Sequence, residues 1–170
     1  DTMLAHKLTH TMISGLLALV LLLTVWMPAH TDAGDTTRVS VTKGGIQRSG
    51  DSIAAAISAD GRFVAFASNA NDLVSPPDTS GKRQVFVKDR QTGDVELVSV
   101  STGGSASDEG GGNPVISADG RYVAFESSAS NLVSGDSNDS YDIFVHDRQT
   151  GVTDMVSIAS DGTKGNEESL

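Results

Sequence analysis

The sequence predicts an all-β fold that is built from repeated four-stranded antiparallel units. An almost identical run occurs twice, as A-I-S-A-D-G-R-F-V-A-F at residues 56–66 and as V-I-S-A-D-G-R-Y-V-A-F at residues 115–125. The apolar runs are short and rich in Val, Ile and Phe, and Asp-Gly, Thr-Gly and Gly-Gly separate them, which is typical of strands and turns. No helix is predicted after residue 33.

The repeat extends over most of the chain. The run V-F-V-K-D-R-Q-T-G at residues 85–93 returns as I-F-V-H-D-R-Q-T-G at residues 143–151, and R-V-S-V at residues 38–41 matches L-V-S-V at residues 97–100. These matches divide the chain after its first 33 residues into two complete repeats and two partial ones. The segments are a first partial repeat that supplies a closing strand (34–52), a first complete repeat (53–100), a second complete repeat (101–158) and the start of a further repeat (159–170).

Each complete repeat is expected to hold four strands. Asp60-Gly61 and Asp119-Gly120 predict tight hairpins whose central residues need a positive φ, and Gln-Thr-Gly marks a second hairpin in each repeat. The predicted strands are residues 53–58, 62–68, 84–89 and 95–100, followed by residues 113–117, 121–127, 142–147 and 153–158.

The middle strands do not alternate apolar with polar residues, so both faces of each sheet should be covered by neighbouring sheets. Repeated four-stranded sheets that stack face to face are the blades of a β-propeller. We therefore call residues 53–100 blade 1 and residues 101–158 blade 2. Since closure needs about 4 to 8 blades, the ring is incomplete. We expect the chain to be an amino-terminal fragment, or else to close by self-assembly with other copies.

The first 33 residues are predicted to be a targeting segment rather than part of the fold. Lys7 supplies a basic start, residues 13–27 form an apolar run, and Thr31-Asp32-Ala33 offers small residues for cleavage. This pattern favours a cleaved signal peptide, with an uncleaved membrane anchor as the alternative, because a spanning helix needs about 20 residues. The repeats are thus expected to be periplasmic or secreted. If the leader is not cleaved, it would anchor the chain to the membrane with the repeats outside.

The composition limits the possible partners. The net charge is −10, which disfavours binding to nucleic acid and to anionic lipid. The chain has no cysteine, so neither disulfides nor thiolate chemistry contribute. A soluble acidic exported domain is the simplest interpretation of this charge.

One loop has the donor types of a calcium site. Oxygen-bearing side chains alternate in D-S-N-D-S-Y-D at residues 136–142, and hard cations such as Ca²⁺ prefer oxygen ligands. The alternative is that these residues only cap turns in a solvated loop, because residues 78–84 of blade 1 carry Lys and Arg instead. The candidate metal ligands are Asp136, Asn138, Asp139 and Asp142, and no other cofactor is predicted.

No residue is predicted to be catalytic. The sequence contains neither a G-x-S-x-G nor an H-E-x-x-H motif. His146 has no nucleophile partner in view, and we interpret it as a surface strand residue, since blade 1 carries Lys88 at the same position. Asp89-Arg90 and Asp147-Arg148 precede a hairpin in each blade, and each Asp is expected to bind turn amides while the Arg pairs locally or points to solvent.

The motifs I-S-A-D-G-R-[FY]-V-A-F, [ND]-L-V-S and [VI]-F-V-x-D-R-Q-T-G resemble the TolB-type, WD40-like propeller repeat of bacterial exported proteins. The resemblance covers residues 38–170 and implies a binding module rather than a reaction. A non-enzymatic scaffold that binds a protein or a small ligand through residues 68–84 and 127–142 is therefore expected. The alternatives are the propeller part of a larger exported hydrolase and a calcium-stabilised surface module.

Overall fold

The computed structural model describes residues 36–70, 72–138, 140–160 and 162. The predicted targeting segment, residues 1–33, lies outside this part of the chain, and its cleavage stays a prediction. No helix within the described residues is long and apolar enough to cross a membrane.

Eight strands form two separate four-stranded antiparallel sheets, each with its strands in chain order. This confirms the prediction of two complete four-stranded blades, and the described residues contain no helix. Strand bounds agree with the predicted ones to within a few residues. In blade 1 the strands are β1 (Ser52–Ile57), β2 (Phe63–Ser68), β3 (Gln84–Asp89) and β4 (Val95–Leu97), and in blade 2 they are β5 (Gly112–Ile116), β6 (Tyr122–Ser127), β7 (Asp142–Asp147) and β8 (Val152–Met155).

The two sheets have the same register. Phe66 faces Phe86 between β2 and β3, and Phe125 faces Phe144 between β6 and β7. The ring centroids of each pair are 5.9 Å apart, so the repeat conserves the aromatic contact as well as the strand pairing. The first strand of each blade contains a bulge, where Ala54 in β1 and Asn113 in β5 both have positive φ.

The predicted Asp-Gly hairpin turns differ from the prediction in one respect. Only Gly61 has a positive φ in the first loop, whereas Asp60 does not, so the loop is not a two-residue turn with two positive φ values. The Ser58 N–H instead donates to the Phe63 carbonyl, which closes a four-residue loop. The Asp60 carboxylate accepts hydrogen bonds from the Ser58 hydroxyl and the Arg62 N–H, and the second blade repeats this arrangement around Asp119.

A single apolar core joins the two blades. Phe125 and Phe144 of blade 2 and Val85 of blade 1 are all buried in it. Apolar burial of this kind is the main contribution to the stability of stacked repeats. The buried members of the core are Ala65, Val85, Val87, Val98, Ile116, Val123, Phe125, Ala129, Leu132, Phe144 and Met155.

An arginine and an aspartate tie the second strand of each blade to the third. Arg62 donates through Nε and Nη2 to the Asp89 carboxylate at 2.7 to 3.1 Å, and Arg121 makes the same contact with Asp147. The burial of Asp89 opposes its ionisation, but the hydrogen bonds from Arg62 and from two turn N–H groups outweigh it and lower the pKa of Asp89 to about 2. Asp89 also accepts from the Gln91 N–H, which confirms its predicted role in the turn.

Candidate binding grooves

The chain forms a similar turn ahead of each blade, which we call the arch. In the first arch Val41 bridges to Gln47, and in the second Val100 bridges to Ala106. In both arches a hydroxyl of the second residue, Thr42 or Ser101, accepts a hydrogen bond from an N–H four residues later. The same local sequence pattern therefore gives the same local structure twice.

A second repeated segment lies on the far side of each arch. Leu73 and Leu132 are buried at equivalent positions of the [ND]-L-V-S motif. Leu132 belongs to the core that joins the blades, whereas Leu73 belongs to a separate apolar cluster of blade 1 that includes Phe66 and Phe86. The N–H of Ala70 donates to the hydroxyl of Ser68, and the N–H of Ala129 donates to the hydroxyl of Ser127. These contacts fix the beginning of the long connections that the sequence analysis predicted to be contact surfaces.

Between the arch and the L-V-S segment, each blade carries an open groove. The blade 1 groove has a volume of about 360 Å³, and the blade 2 groove about 480 Å³. Both are lined by the equivalent turns at 42–44 and 101–103, by the L-V-S residues at 73–75 and 132–134, and by the start of the last strand. The repeat thus presents two matching concavities in succession.

The two grooves differ in charge. In blade 1, the Lys43 ammonium lies 2.6 Å from a carboxylate oxygen of Asp94, and the Arg48 Nε lies 3.3 Å from the Asp72 carboxylate without being aligned for a hydrogen bond. In blade 2, the position of Lys43 is taken by Thr102, whose hydroxyl accepts a hydrogen bond from the Thr153 N–H. The blade 1 groove is therefore lined by ion pairs, whereas hydroxyl groups line much of the other.

The equivalent residues Lys88 and His146 are both connected to the arch of their own blade by hydrogen bonds, Lys88 directly and His146 through Thr153. Lys88 is buried, and its ammonium donates to the carbonyls of Val41, Thr42 and Gly93 at 2.7 to 3.3 Å. Burial lowers the pKa of Lys88, while the nearby carboxylates of Asp94 and Asp89 oppose that change.

His146 is only 3% exposed, so its interpretation as a surface strand residue is wrong. Its Nδ1 lies 2.9 Å from the hydroxyl of Thr153, and that hydroxyl donates to the carbonyl of Val100 in the second arch. Since the single hydroxyl proton is used for Val100, Nδ1 must donate, and the neutral ring carries its proton there. Burial lowers the pKa of His146 below its usual value, against the raising effect of Glu96.

The predicted calcium ligands are only partly described. Asp136 and Asp142 are buried, whereas Asp139 lies outside the described residues. Asp142 accepts hydrogen bonds from the Asn138 amide at 3.1 Å and from the Ser157 hydroxyl at 2.7 Å. Among the residues that the structure describes, no three His, Asp or Glu side chains are grouped to hold a metal ion. The calcium site and the turn-capping alternative therefore both stay predictions.

Asp142 takes the place of Gln84 in blade 1. The Gln84 amide donates to the carbonyl of Ser107 at 2.8 Å and accepts from the hydroxyl of Ser99. Asp142 keeps the hydroxyl partner, since Ser157 is equivalent to Ser99, but an ionised carboxylate has no proton to donate. A position that is neutral in one repeat is therefore acidic in the next.

The described residues are two consecutive four-stranded blades of a β-propeller. Among solved structures, the chain is similar to TolB from Acinetobacter baumannii, with 21% identity and a TM-score of 0.40 over 62% of this chain and 21% of that one. It is also similar to a protein described as a TolB from Agrobacterium tumefaciens, with 14% identity and a TM-score of 0.42 over 65% of this chain and 31% of that one. No protein-family profile and no curated protein matches the chain.

The repeat motif resembles the same class of propeller as these two structures. The chain spans about a fifth of the length of the first and about a third of the second. The assignment of the fold rests on the strand order, the register and the shared core of the two blades.

Proposed function

We propose that this chain is a non-catalytic binding module of an exported β-propeller protein, and that its two grooves bind an extended polypeptide segment. The observation that carries the proposal is the repetition of one groove, built from equivalent residues, in two successive blades. A single cleft of this size is ordinary on a protein surface, but two matched clefts in successive repeats suit a ligand that is itself extended.

The chemistry of the grooves favours a polypeptide over a small molecule. Small-molecule sites are usually enclosed and largely apolar, with a few polar groups that orient the ligand. Both grooves here are open, and most of their lining residues are hydroxyl, charged or glycine residues, with Leu and Val at the base. Such a surface suits an extended chain that is held by hydrogen bonds along its backbone, with small side chains against the valines.

The enzyme alternative belongs to the whole protein rather than to these blades. His146 is buried, and its hydroxyl neighbour Thr153 donates to a backbone carbonyl, so the pair is not arranged as a base and a nucleophile. Export to the periplasm or beyond is part of the proposal, and it rests on the pattern of residues 1–33. A hydrolase domain elsewhere in the protein would be compatible with this role for the grooves.

Filling the grooves tests the proposal. Gly44 and Gly103 line equivalent places, and a Cβ at either one would meet nothing closer than 3.7 Å. The full chain is used to select peptides from a phage-displayed library of random, unstructured sequences. We expect selected peptides to bind the full chain and to lose at least about tenfold in affinity with Gly44→Trp or Gly103→Trp, because a hot-spot contact contributes about 2 kcal/mol.

The matched control is Gln91→Trp, which adds the same side chain at an exposed position outside both grooves and outside the connections at 68–84 and 127–142. Binding should be unchanged in this variant. Selection of no peptide, or equal binding by all three variants, would contradict the proposal.

A further inference from the structure

The two grooves differ in the charged side chains that line them. The blade 1 groove is lined by two cations and two anions, which are Lys43, Arg48, Asp72 and Asp94. Among the described residues that line the blade 2 groove, Asp154 is the one charged residue, and no cation is present. Of the two grooves, only that of blade 1 therefore offers a cationic partner to a ligand carboxylate.

The Arg48 guanidinium has donors to spare. Lys43 is already paired with the Asp94 carboxylate at 2.6 Å, whereas the Arg48 Nε is buried, 3.3 Å from the Asp72 carboxylate and not aligned for a hydrogen bond. Arg48 donates no hydrogen bond to any other residue that the structure describes. A guanidinium has five N–H donors and binds a carboxylate through two parallel hydrogen bonds. The blade 1 groove thus contains a half-buried cation that suits a ligand carboxylate.

The outer edge of β4 lies in the same groove. The Asp89 N–H donates to the Asp94 carbonyl, so these residues form a hydrogen-bonded pair between β3 and the start of β4. The next pair along the strands is Lys88 and Val95. Hydrogen-bonded and non-hydrogen-bonded pairs alternate in an antiparallel sheet, so the N–H and C=O of Val95 point away from β3. Since Val95 lines the blade 1 groove, this edge is open to an added strand.

The equivalent edge of blade 2 is covered by a side chain. Thr153 is equivalent to Val95, and its N–H donates to the Thr102 hydroxyl at 3.0 Å. The same hydroxyl donates to the Thr153 carbonyl at 3.4 Å, so one threonine of the arch takes the place of an added strand. In blade 1 the position of Thr102 is taken by Lys43, whose ammonium cannot accept a hydrogen bond from an N–H.

We propose that the blade 1 groove binds an acidic part of the extended polypeptide, whose backbone pairs with Val95 and whose Asp or Glu carboxylate binds Arg48. The blade 2 groove takes a neutral part of the same segment, because Thr102 holds the strand edge there and Asp154 repels a second carboxylate. Main-chain pairing supplies affinity, and the side-chain contact supplies selectivity. This inference rests on the proposed function and names the chemistry of its ligand.

The first test compares three synthetic peptides on the full chain. Each is acetylated and amidated and alternates Thr with Val, and the central residue is Glu, Gln or Lys. We expect the Glu peptide to bind at least about tenfold more tightly than the Gln peptide, as a charge-assisted pair does, and the Lys peptide to bind most weakly. Arg48→Gln should remove the advantage of Glu. Arg38→Gln, at an exposed arginine outside the groove, should preserve it.

The second test installs the threonine cap in blade 1. Lys43→Thr places a hydroxyl at the position that Thr102 has in blade 2, and Lys43→Val removes the same charge with a side chain of similar shape but no hydroxyl. We expect Lys43→Thr to bind the Glu peptide about fivefold more weakly than Lys43→Val, because the hydroxyl competes for the backbone groups of Val95. Equal affinities of the two variants would contradict pairing at this edge.

Amide hydrogen exchange measures the same contact in the unsubstituted chain, so it does not depend on the folding of any variant. The Glu peptide should slow the exchange of the Val95 N–H at least about tenfold. It should leave the Thr153 N–H, which is already bonded to Thr102, unchanged.

A Glu peptide that binds no better than the Gln peptide, or that leaves the exchange of Val95 unchanged, would overturn the inference. If peptides selected from the random library still lose affinity with Gly44→Trp in that case, the proposed function stands and only the inferred ligand chemistry fails. If neither the synthetic nor the selected peptides bind, both fail.

Discussion

Blade 1 and blade 2 share one sequence pattern and one strand order, but they differ in what covers them. In blade 1, every residue of β3 and all but the first of β2 are buried, so both faces of the sheet are covered. In blade 2, burial alternates along β6 and β7, so one face is packed and the other is partly open. The difference lies in the neighbours of each sheet, since blade 2 itself covers one face of blade 1.

This comparison separates what a repeat contributes by itself from what its neighbours contribute. The strand register, the stacked phenylalanine pair and the Arg–Asp contact are present in both blades, so they belong to the single repeat. Val98 of blade 1 is buried, whereas the equivalent Val156 of blade 2 is not, so this burial depends on the packing of two blades against each other. Repeat proteins are stabilised by both kinds of contribution, and matched positions here allow each to be measured.

The largest expected difference is between two glycines with nearly the same backbone. Gly61 and Gly120 have φ values of 71° and 75°, so alanine is strained at both, by about 1 kcal/mol. Only Gly120 also meets an aromatic ring, that of Phe63. We expect Gly61→Ala to lower the free energy of unfolding by about 1 kcal/mol and Gly120→Ala by about 2 to 4 kcal/mol, because overpacking adds about 1 to 3 kcal/mol.

Urea unfolding of the two variants measures this difference. The double variant Gly120→Ala/Phe63→Leu serves as the control, since a smaller, flexible side chain removes the clash. If Gly61→Ala and Gly120→Ala cost the same, the contact between Phe63 and the second Asp-Gly loop does not hold the blades together.

The second prediction concerns the pH dependence of stability that His146 gives to blade 2. The pKa of His146 is lower in the folded chain than in the unfolded one, so the unfolded chain binds this proton first as pH falls. Stability is therefore complete above about pH 6.5 and is lost below it, with a slope of at most about 1.4 kcal/mol per pH unit. The pKa values of Asp89 and Asp147 are lowered from 3.8, so the stability that these two groups contribute is lost only at lower pH. That loss can therefore be separated from the loss caused by His146.

Chemical unfolding between pH 7 and pH 5 measures this slope. In His146→Gln the slope should flatten, while the histidines at positions 6, 10 and 30 remain to report any background. An unchanged slope in that variant would show that His146 is not the group that titrates.

The smallest effect is expected from calcium. If the loop at 136–142 binds Ca²⁺ with a dissociation constant of about 10⁻⁴ to 10⁻³ M, then 1 mM metal stabilises the chain by about 0.4 to 1.4 kcal/mol. Calorimetric titration with Ca²⁺ should show heat of binding. Asp139→Asn should abolish this heat, whereas Asp108→Asn, in another exposed loop, should leave it unchanged. The absence of heat at millimolar Ca²⁺ would leave turn capping as the role of these residues.

Much of the fold was predictable because the repeat is local. Short Val- and Phe-rich runs between Asp-Gly and Thr-Gly turns predicted all eight strands, since these turns bound each run on both sides. The turn geometry itself was not predicted. The Asp60 carboxylate binds the Ser58 hydroxyl and the Arg62 N–H, which favours a four-residue loop over the two-residue turn that Asp-Gly often forms.

The parts that sequence reasoning missed depend on distant neighbours. His146 is buried and hydrogen-bonds to the Thr153 hydroxyl, which in turn donates to Val100 of the arch that precedes the blade. The Arg62–Asp89 pair joins residues 27 positions apart, although the equivalent spacing of Arg121 and Asp147 was a signal that could have found it. The grooves likewise join two segments, the arch and the L-V-S motif, which were analysed separately in the sequence.

The central claim is that the two blades share one strand framework and that their neighbours cause the difference in burial of their outer faces, and one pair of valines tests it most directly. Val98 and Val156 occupy the same repeat position. The Val98 N–H donates to the Val85 carbonyl of β3, and the Val156 N–H donates to the Ile143 carbonyl of β7. Urea unfolding of Val98→Ala should show a loss of about 2 kcal/mol, as for a fully buried valine, and that of Val156→Ala a loss below about 1 kcal/mol. Equal losses at the two positions would contradict the claim, because the outer face of blade 2 would then be as fully covered as that of blade 1.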